Sequence, residues 1–281
     1  MKINLFKTPD GNWLTNIDLF NALKTIQANE CKILYIHSKL NFGTPNPELK
    51  KTQLLKIILE TIQELKVPTI CVPTFTFSFC NGQDFNIDKS KSQMGIFNEY
   101  IRKLPESTRS VDPLMSVAVL GKDKSIISDL GHDSVGKDSH FDKIRNSNDV
   151  KFLFLGPKVG DCFTYMHYVE EIMNAPFRYN KPFTGMITNG SETYEDTYNL
   201  FVRYNGVIPG KGSYFYEEKL FENGISKRVG FGSGLITCFD NNKAHDMLVK
   251  MYEKDLNQFL LKPYDSNNKD KTFIVKNMVA L

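Results

Sequence analysis

The chain has 281 residues, enough for one large domain around a shared core, and its 41% apolar and 24% charged residues are ordinary for a globular fold. Thirty-five Lys and Arg against 32 Asp and Glu leave a net charge of +3, and no block of basic residues stands alone, which argues against nucleic acid as a partner. Five cysteines at 31, 71, 80, 162 and 238 form no CxxC pair, so neither a zinc knuckle nor a disulfide framework is expected. Cys31, Cys71, Cys162 and Cys238 lie among apolar neighbours and read as buried free thiols, which fits a reducing cytoplasm. The N-terminal MKINLFKTPDGNW lacks an apolar core segment, so no signal peptide is read, and no apolar run approaches membrane-spanning length.

Taken in chain order, residues 15–28 carry apolar positions at helical spacing, and CKILYIH (31–37) is a short apolar run of the kind found in a buried strand. A Gly/Pro/Asn loop then leads to a helix over about 47–66. TICVPTF (69–75) is a second strand, SQMGIFNEYIRKL (92–104) a helix that stops at Pro105, LMSVAVLG (114–121) a third strand and DVKFLFLGP (149–157) a fourth. A helix over 161–175 follows, closed by Pro176. Beyond it NLFVRYNG, RVGFGSGLITCF and KTFIVKNMV read as strands and 240–261 as a helix with Asp240 or Asn241 as its cap. The alternation predicts a three-layer α/β/α fold with a mixed central sheet. Residues 1–281 form one domain, with an α/β core over about 1–176 and a C-terminal elaboration over about 177–281.

Familiar signatures are absent. GVIPGKGS lacks the spacing of a phosphate loop, and GFGSG (230–234) is neither a dinucleotide fingerprint nor a nucleophile elbow; it reads as a bulged or tightly turning strand. HYVEE is not a zinc motif, because Glu171 stands where a second His would be needed, so no metal site is expected.

What remains is the stretch DCFTYMHYVEE (161–171). Its helix is apolar around most of its circumference, with a narrow polar stripe of Thr164, His167 and Glu171, and Glu170 beside His167 at i+3. A buried imidazole next to a carboxylate is held in one tautomer and has its pKa raised, which is what a general base needs. The helix alone favours a satisfied core histidine. Its position after the strand LFLGP shifts the balance, because ligands of open α/β sheets bind past the carboxyl ends of strands. Three further segments carry candidate contacts: YIHSKLNFG (35–43), whose loop offers backbone amides to a phosphate; STRSVDPLMSVAVLG (107–121), with Arg109 as an anion contact; and GKDSHFDKI (136–144), with Ser139 at a helix start.

In this order the segments resemble the aminoglycoside 3-N-acetyltransferase family, over roughly residues 30 to 185. The matching positions are His37-Ser38, Pro73-Thr74-Phe75, Met94-Gly95, then Arg109, Ser110, Pro113 and Ser116, then Gly136, Ser139 and Phe141, and last His167 with Glu170. Two positions depart from the pattern: Lys39 where a second Ser is common, and Asp112 where His is common. The resemblance implies acetyl-CoA as co-substrate, no metal, His167 as catalytic base with Glu170 supporting it, and His37, Ser38, Lys39, Arg109, Ser110 and Ser116 on the coenzyme side. Transfer would be direct, with Ser116 and Thr164 as candidate oxyanion donors.

The acceptor is read from residues past 176. Glu192, Glu195 and Asp196 are followed by Arg203, Lys211, Lys227 and Arg228, a mixture that suits an anionic sugar nucleotide. The expectation is therefore N-acetylation of a small-molecule amino sugar, nucleotide-linked and destined for surface polysaccharide. Aminoglycoside 3-N-acetylation, or a non-catalytic member that binds coenzyme A or a glycan, are the alternatives.

Overall fold

The computed structural model describes residues 1–210 and 212–273. Strands β1 (Asn4–Lys7) and β2 (Trp13–Thr15) precede helix α1 (Asn16–Thr25), whose start is fixed by reciprocal bonds between the Thr15 hydroxyl and Asp18. Next come β3 (Ile33–Ser38), a two-residue β4 (Thr44–Pro45), α2 (Lys51–Gln63) and β5 (Thr69–Pro73). They are followed by β6 (Phe85–Asn86), α3 (Ile96–Arg102), β7 (Thr108–Arg109) and β8 (Val117–Gly121). Helix α4 (His140–Asn146), capped by Ser139, leads into β9 (Val150–Gly156) and the short helices α5 (Val159–Cys162) and α6 (Tyr165–Ile172). A long hairpin, β10 (Arg178–Asn189) and β11 (Glu192–Arg203), then gives way to α7 (Gly212–Glu222), the hairpin β12 (Ser226–Phe231) and β13 (Gly234–Asp240), and α8 (Asn241–Lys254) with Asp240 as its cap.

Seven strands form the central sheet in the order β12-β13-β9-β3-β5-β8-β7. β3 runs parallel to both β5 and β9, while the outer pairings are antiparallel, so the sheet is mixed as expected. Alternation along the strands divides the interior in two. Leu34, Ile36, Ile70, Val72, Leu153 and Leu155 meet the apolar faces of α1, α2 and α3 on one side. Tyr35, Cys71, Val119, Phe152, Phe154 and Phe239 meet α4, α6, α7 and α8 on the other. This is the three-layer arrangement. Among the described residues no helix is long and apolar enough to cross a membrane, and no group of three His, Cys, Asp or Glu side chains could hold a metal ion.

Several extents differ from the sequence reading. The helix expected over 161–175 breaks at Phe163, whose backbone (φ −74, ψ 74) leaves the helical region. The Phe163 ring turns inward among Phe152, Phe154, Tyr216 and Phe239, so burial of one aromatic side chain outweighs the helical bonds forgone there. The C-terminal helix ends at Lys254 rather than at residue 261. The segment RVGFGSGLITCF is not one strand but the β12–β13 hairpin. It turns on Gly232 (φ +57), where a Cβ would lie 2.1 Å from the carbonyl oxygen of Phe42. Of KTFIVKNMV, Lys271–Phe273 are not strand and the remainder lies outside the described residues.

Three histidines sit in the interior. Burial lowers the pKa of His37 and His140 to about 3 and that of His245 to about 4, all from 6.5. The unfolded chain therefore binds these protons before the folded chain does. Their contribution to stability is complete above pH 6.5 and is lost as pH falls towards about 4 for His245 and about 3 for His37 and His140, at up to about 1.4 kcal/mol per pH unit for each histidine. Thermal melting between pH 7.5 and 4.5 should show a steadily falling Tm; an unchanged Tm over that range would contradict the assignment.

Candidate active site

Helix α6 presents His167 at the edge of the interior, with 29% of its side chain exposed. His167 Nδ1 is 2.9 Å from Glu170 Oε2, one helical turn on. Glu170 is itself buried. Its Oε1 accepts from the Tyr252 hydroxyl of α8 at 2.9 Å, and its Oε2 lies 2.7 Å from Nε of Arg178, the first residue of β10. The Arg178 guanidinium also donates from Nη1 to the Phe201 carbonyl and places Nη2 2.9 Å from His167 Nδ1. Four side chains from α6, β10 and α8 thus share one network, and Nε2 is the ring nitrogen of His167 left free of it. Sequence reasoning found the His–Glu pair from its i, i+3 spacing. Arg178 and Tyr252 carry no local signature and were missed.

The electrostatics differ from the expectation in one respect. The pKa of His167 is lowered, not raised: burial is the largest cause and the Arg178 cation the next, and together they outweigh the Glu170 carboxylate. Burial alone would push the Glu170 carboxyl up, but Arg178, His167 and Tyr252 hold it down to about 2. Where an Nδ1 proton faces the ionised Glu170 carboxylate, the lone pair sits on Nε2; the Arg178 Nη2 donor, also 2.9 Å from Nδ1, competes for that position. A neutral imidazole in that tautomer is a base ready to act.

One turn before His167, Thr164 Oγ1 is buried without a hydrogen-bond partner. One turn after it, the Glu171 carboxylate packs against Gly136, where an added Cβ would lie 2.5 Å from Oε1, and accepts from Asn180 at 3.3 Å. Burial raises the Glu171 pKa and the nearby Asp133 adds to the effect. Asp133 and the His132–Asp196 pair, 3.0 Å apart, place two further carboxylates on the same side of the sheet.

The expected coenzyme-side residues divide into two sets. Ser38 and Lys39 lie at the carboxyl end of β3, beside β9. Ser38 is half-buried and bonds Asn98 at 2.7 Å, while the Lys39 side chain is exposed. The parallel neighbours β5 and β9 flank β3 here, and the helices after β3 and β9 pack on opposite faces of the sheet, the arrangement that forms a ligand crevice in open α/β folds. The exposed Lys158 stands at the matching end of β9. The exposed ammonium groups of Lys39 and Lys158 suit the anionic end of a coenzyme.

The other four residues are interior. His37 stacks on Phe154 with ring centroids 4.8 Å apart and does not reach the surface. The Ser110 hydroxyl accepts from the Val117 amide. Ser116, with no exposed surface, gives its hydroxyl to the Thr74 carbonyl at 2.9 Å, which also removes it as an oxyanion donor. Arg109 is buried, with Nη1 donating to the carbonyls of Ile87 and Ser90, Nη2 to that of Thr74, and Nε shared by the Thr74 and Ser116 hydroxyls. Its donors are committed to the fold, so the anion contact expected of it is replaced by a clamp on the 87–90 loop. Asp112 is buried too, and its Oδ1 accepts from the Leu114 and Met115 amides and the Ser134 hydroxyl.

Loss of the Arg109 clamp leaves the carbonyls of Ile87 and Ser90 without their donor, at about 1–3 kcal/mol each, while that of Thr74 keeps the Ser116 hydroxyl. Arg109→Met should therefore lower stability by several kcal/mol in denaturant melts. The milder Arg109→Lys, if folded, should bind acetyl-CoA with unchanged affinity by calorimetry; a loss of affinity in the folded variant would restore Arg109 to the coenzyme site.

The fold is shared with solved structures. The aminoglycoside acetyltransferase AAC(3)-Xa superposes with a TM-score of 0.72 at 18% identity, over 87% of this chain and 94% of that one. AAC-IIIb in a binary complex with CoASH gives 0.72 at 16% identity, over 89% and 99%. AAC-VIa bound to sisomicin gives 0.70 at 14%, over 85% and 97%. Among curated proteins none matches the sequence. The family model for aminoglycoside 3-N-acetyltransferase matches residues 60–253, which span α6, the side chains around His167 and every strand of the central sheet except β3. The chain belongs to the aminoglycoside 3-N-acetyltransferase family and is an acetyl-CoA-dependent N-acetyltransferase.

Proposed function

We propose that the chain acetylates a primary amine of a cationic, aminoglycoside-like amino sugar, with His167 as general base. The observation that carries this reading is the His167–Glu170 contact at 2.9 Å, with Nε2 outside the network, on a helix face that also bears Glu171, with Asp133 close by. A polycationic acceptor would neutralise these carboxylates, and Glu171 has one oxygen, Oε2, buried without a partner. Relatives of the same fold described with sisomicin bound support the same acceptor class.

The nucleotide-linked amino sugar expected from the charge mixture finds less support. Lys227 of β12 faces the α1–α3 side of the sheet, level with Cys238, and meets Gln27 beyond α1, on the opposite face from α6. Arg228 is paired with Glu218 of α7 at 2.8 Å. Only Arg203, opposite Arg178 in the hairpin, remains near His167. Lys211 lies outside the described residues.

Acetyl-CoA supplies an acyl carbon activated by a thiolate leaving group. In this reading Ser38, Lys39 and Lys158 hold its anionic portion at the crevice. His167 Nε2 takes the proton that the acceptor amine must lose before its nitrogen can bond the acyl carbon and the C–S bond can break. Glu170 stabilises the imidazolium formed, and Arg178 keeps that carboxylate ionised. The Thr164 hydroxyl is the free donor one turn from the base and suits the oxyanion.

His167→Asn should lower turnover roughly 10²–10⁴-fold with little change in Tm, and Glu170→Gln should lose less. Near-normal kcat in a folded His167→Asn variant would remove the base assignment. Thiol release with acetyl-CoA should be faster by kcat/KM with sisomicin than with a nucleoside-diphosphate amino sugar. The reverse order would reinstate the sugar nucleotide as acceptor.

A further inference from the structure

The contacts around His167 contain a competition that the base assignment does not use. Its Nδ1 has two neighbours at 2.9 Å, the Glu170 carboxylate and the Arg178 Nη2, one an acceptor and the other a donor. Nδ1 can satisfy only one of them at a time. A carboxylate and a cation are therefore in contact with the same ring, and their effects on its charge are opposite. Arg178 is 5% exposed at its side chain, so its field is poorly screened. Its position is fixed by Phe201 O and by Glu170, not by His167.

We propose that Arg178 is a positioning residue for acetyl transfer: held by β11 and by Glu170, its guanidinium opposes protonation of His167, so that the ring stays a neutral base beside the Glu170 carboxylate. Without it, Glu170 would act alone on Nδ1 and stabilise the imidazolium, which cannot accept a proton. A His–Glu pair is thereby kept from becoming an ordinary ion pair. The remaining groups about the ring fit this arrangement. Arg203, from β11, lies on the same side and adds a second cation, while Tyr252 of α8 reaches the ring only through Glu170 Oε1. Glu171, on the same helix, turns towards Gly136 and Asn180. Asp142 and His245 bond Tyr168 and Tyr165, on the packed face of α6. The lowered pKa of His167 agrees with the geometry.

The inference rests on His167 acting as the base, but the coupling between the two side chains can be measured without turnover. Ring ¹⁵N shifts of the folded protein, with the His167 resonance assigned by its loss in His167→Asn, follow the titration directly. The wild-type midpoint is expected below 6.5, with the proton on Nδ1 in the neutral form. Arg178→Lys should leave the midpoint within about 0.5 units, and Arg178→Met should raise it by about one unit or more. The acid limb of the kcat/KM profile with sisomicin should move by the same amount. A merely structural arginine would lower Tm without moving either. A folded Arg178→Met variant with the wild-type midpoint overturns the proposal. Should that variant fail to fold, a wild-type midpoint at or above 6.5 overturns it equally well. If His167→Asn instead keeps its turnover while the midpoint shifts as expected, the coupling stands and its place in catalysis falls with the base.

Discussion

The ion pair between Glu170 and Arg178 is the constraint on which the site depends. Two charges withdrawn from water are a liability unless each finds enough partners, and a buried pair of this kind adds little to stability by itself. Here the carboxylate is met by a guanidinium, an imidazole and a phenol, and the guanidinium by a carboxylate and a backbone carbonyl. Those partners arrive from α6, β10, β11 and α8. Closing the network therefore requires that the hairpin and the last helix both be docked on the central layers. The environment of His167 is formed by the completed fold and not by its own helix.

The interior clusters around it follow from ordinary packing. The aromatic face between α4, α6, α7 and α8 holds Phe163 at the break before α6, and that break sets the direction in which α6 leaves β9. A straight helix continued from Val159 would carry the polar stripe on a different bearing. The break at Phe163 thus sets where α6 places His167.

Much of this was legible in the sequence, for physical reasons. β3 and β9 are covered on both faces, so they read as unbroken apolar runs, and Ser139 and Asp240 announce helix starts because their side chains satisfy amides that no carbonyl reaches. His167 and Glu170 were recoverable because a helix brings i and i+3 together. Arg178 and Tyr252 were not, since the contact between Tyr252 and Glu170 spans 82 positions and depends on tertiary packing alone. Arg109 shows the opposite failure. An arginine among serines reads as an anion site whether its donors face solvent or are already taken by carbonyls, and only the fold distinguishes the two. The charge count past residue 176 failed similarly, because it summed Lys227 and Arg228 with residues on other faces of the sheet.

The place of β3 at the centre of the sheet has a consequence for how the chain comes to be made. Its two neighbours are β5, which follows closely, and β9, which lies far along the chain. β9 is in turn covered on its outer side by β13, which comes between α7 and α8 in the chain. During synthesis the first half of the sheet emerges with one long edge of β3 unpaired and rich in Ile, Leu and Tyr, a strand of the sort that invites pairing with another chain. Each nascent molecule must wait for most of its length before that edge is closed, so crowded translation, and not the stability of the finished protein, is where this architecture is most exposed to misassembly.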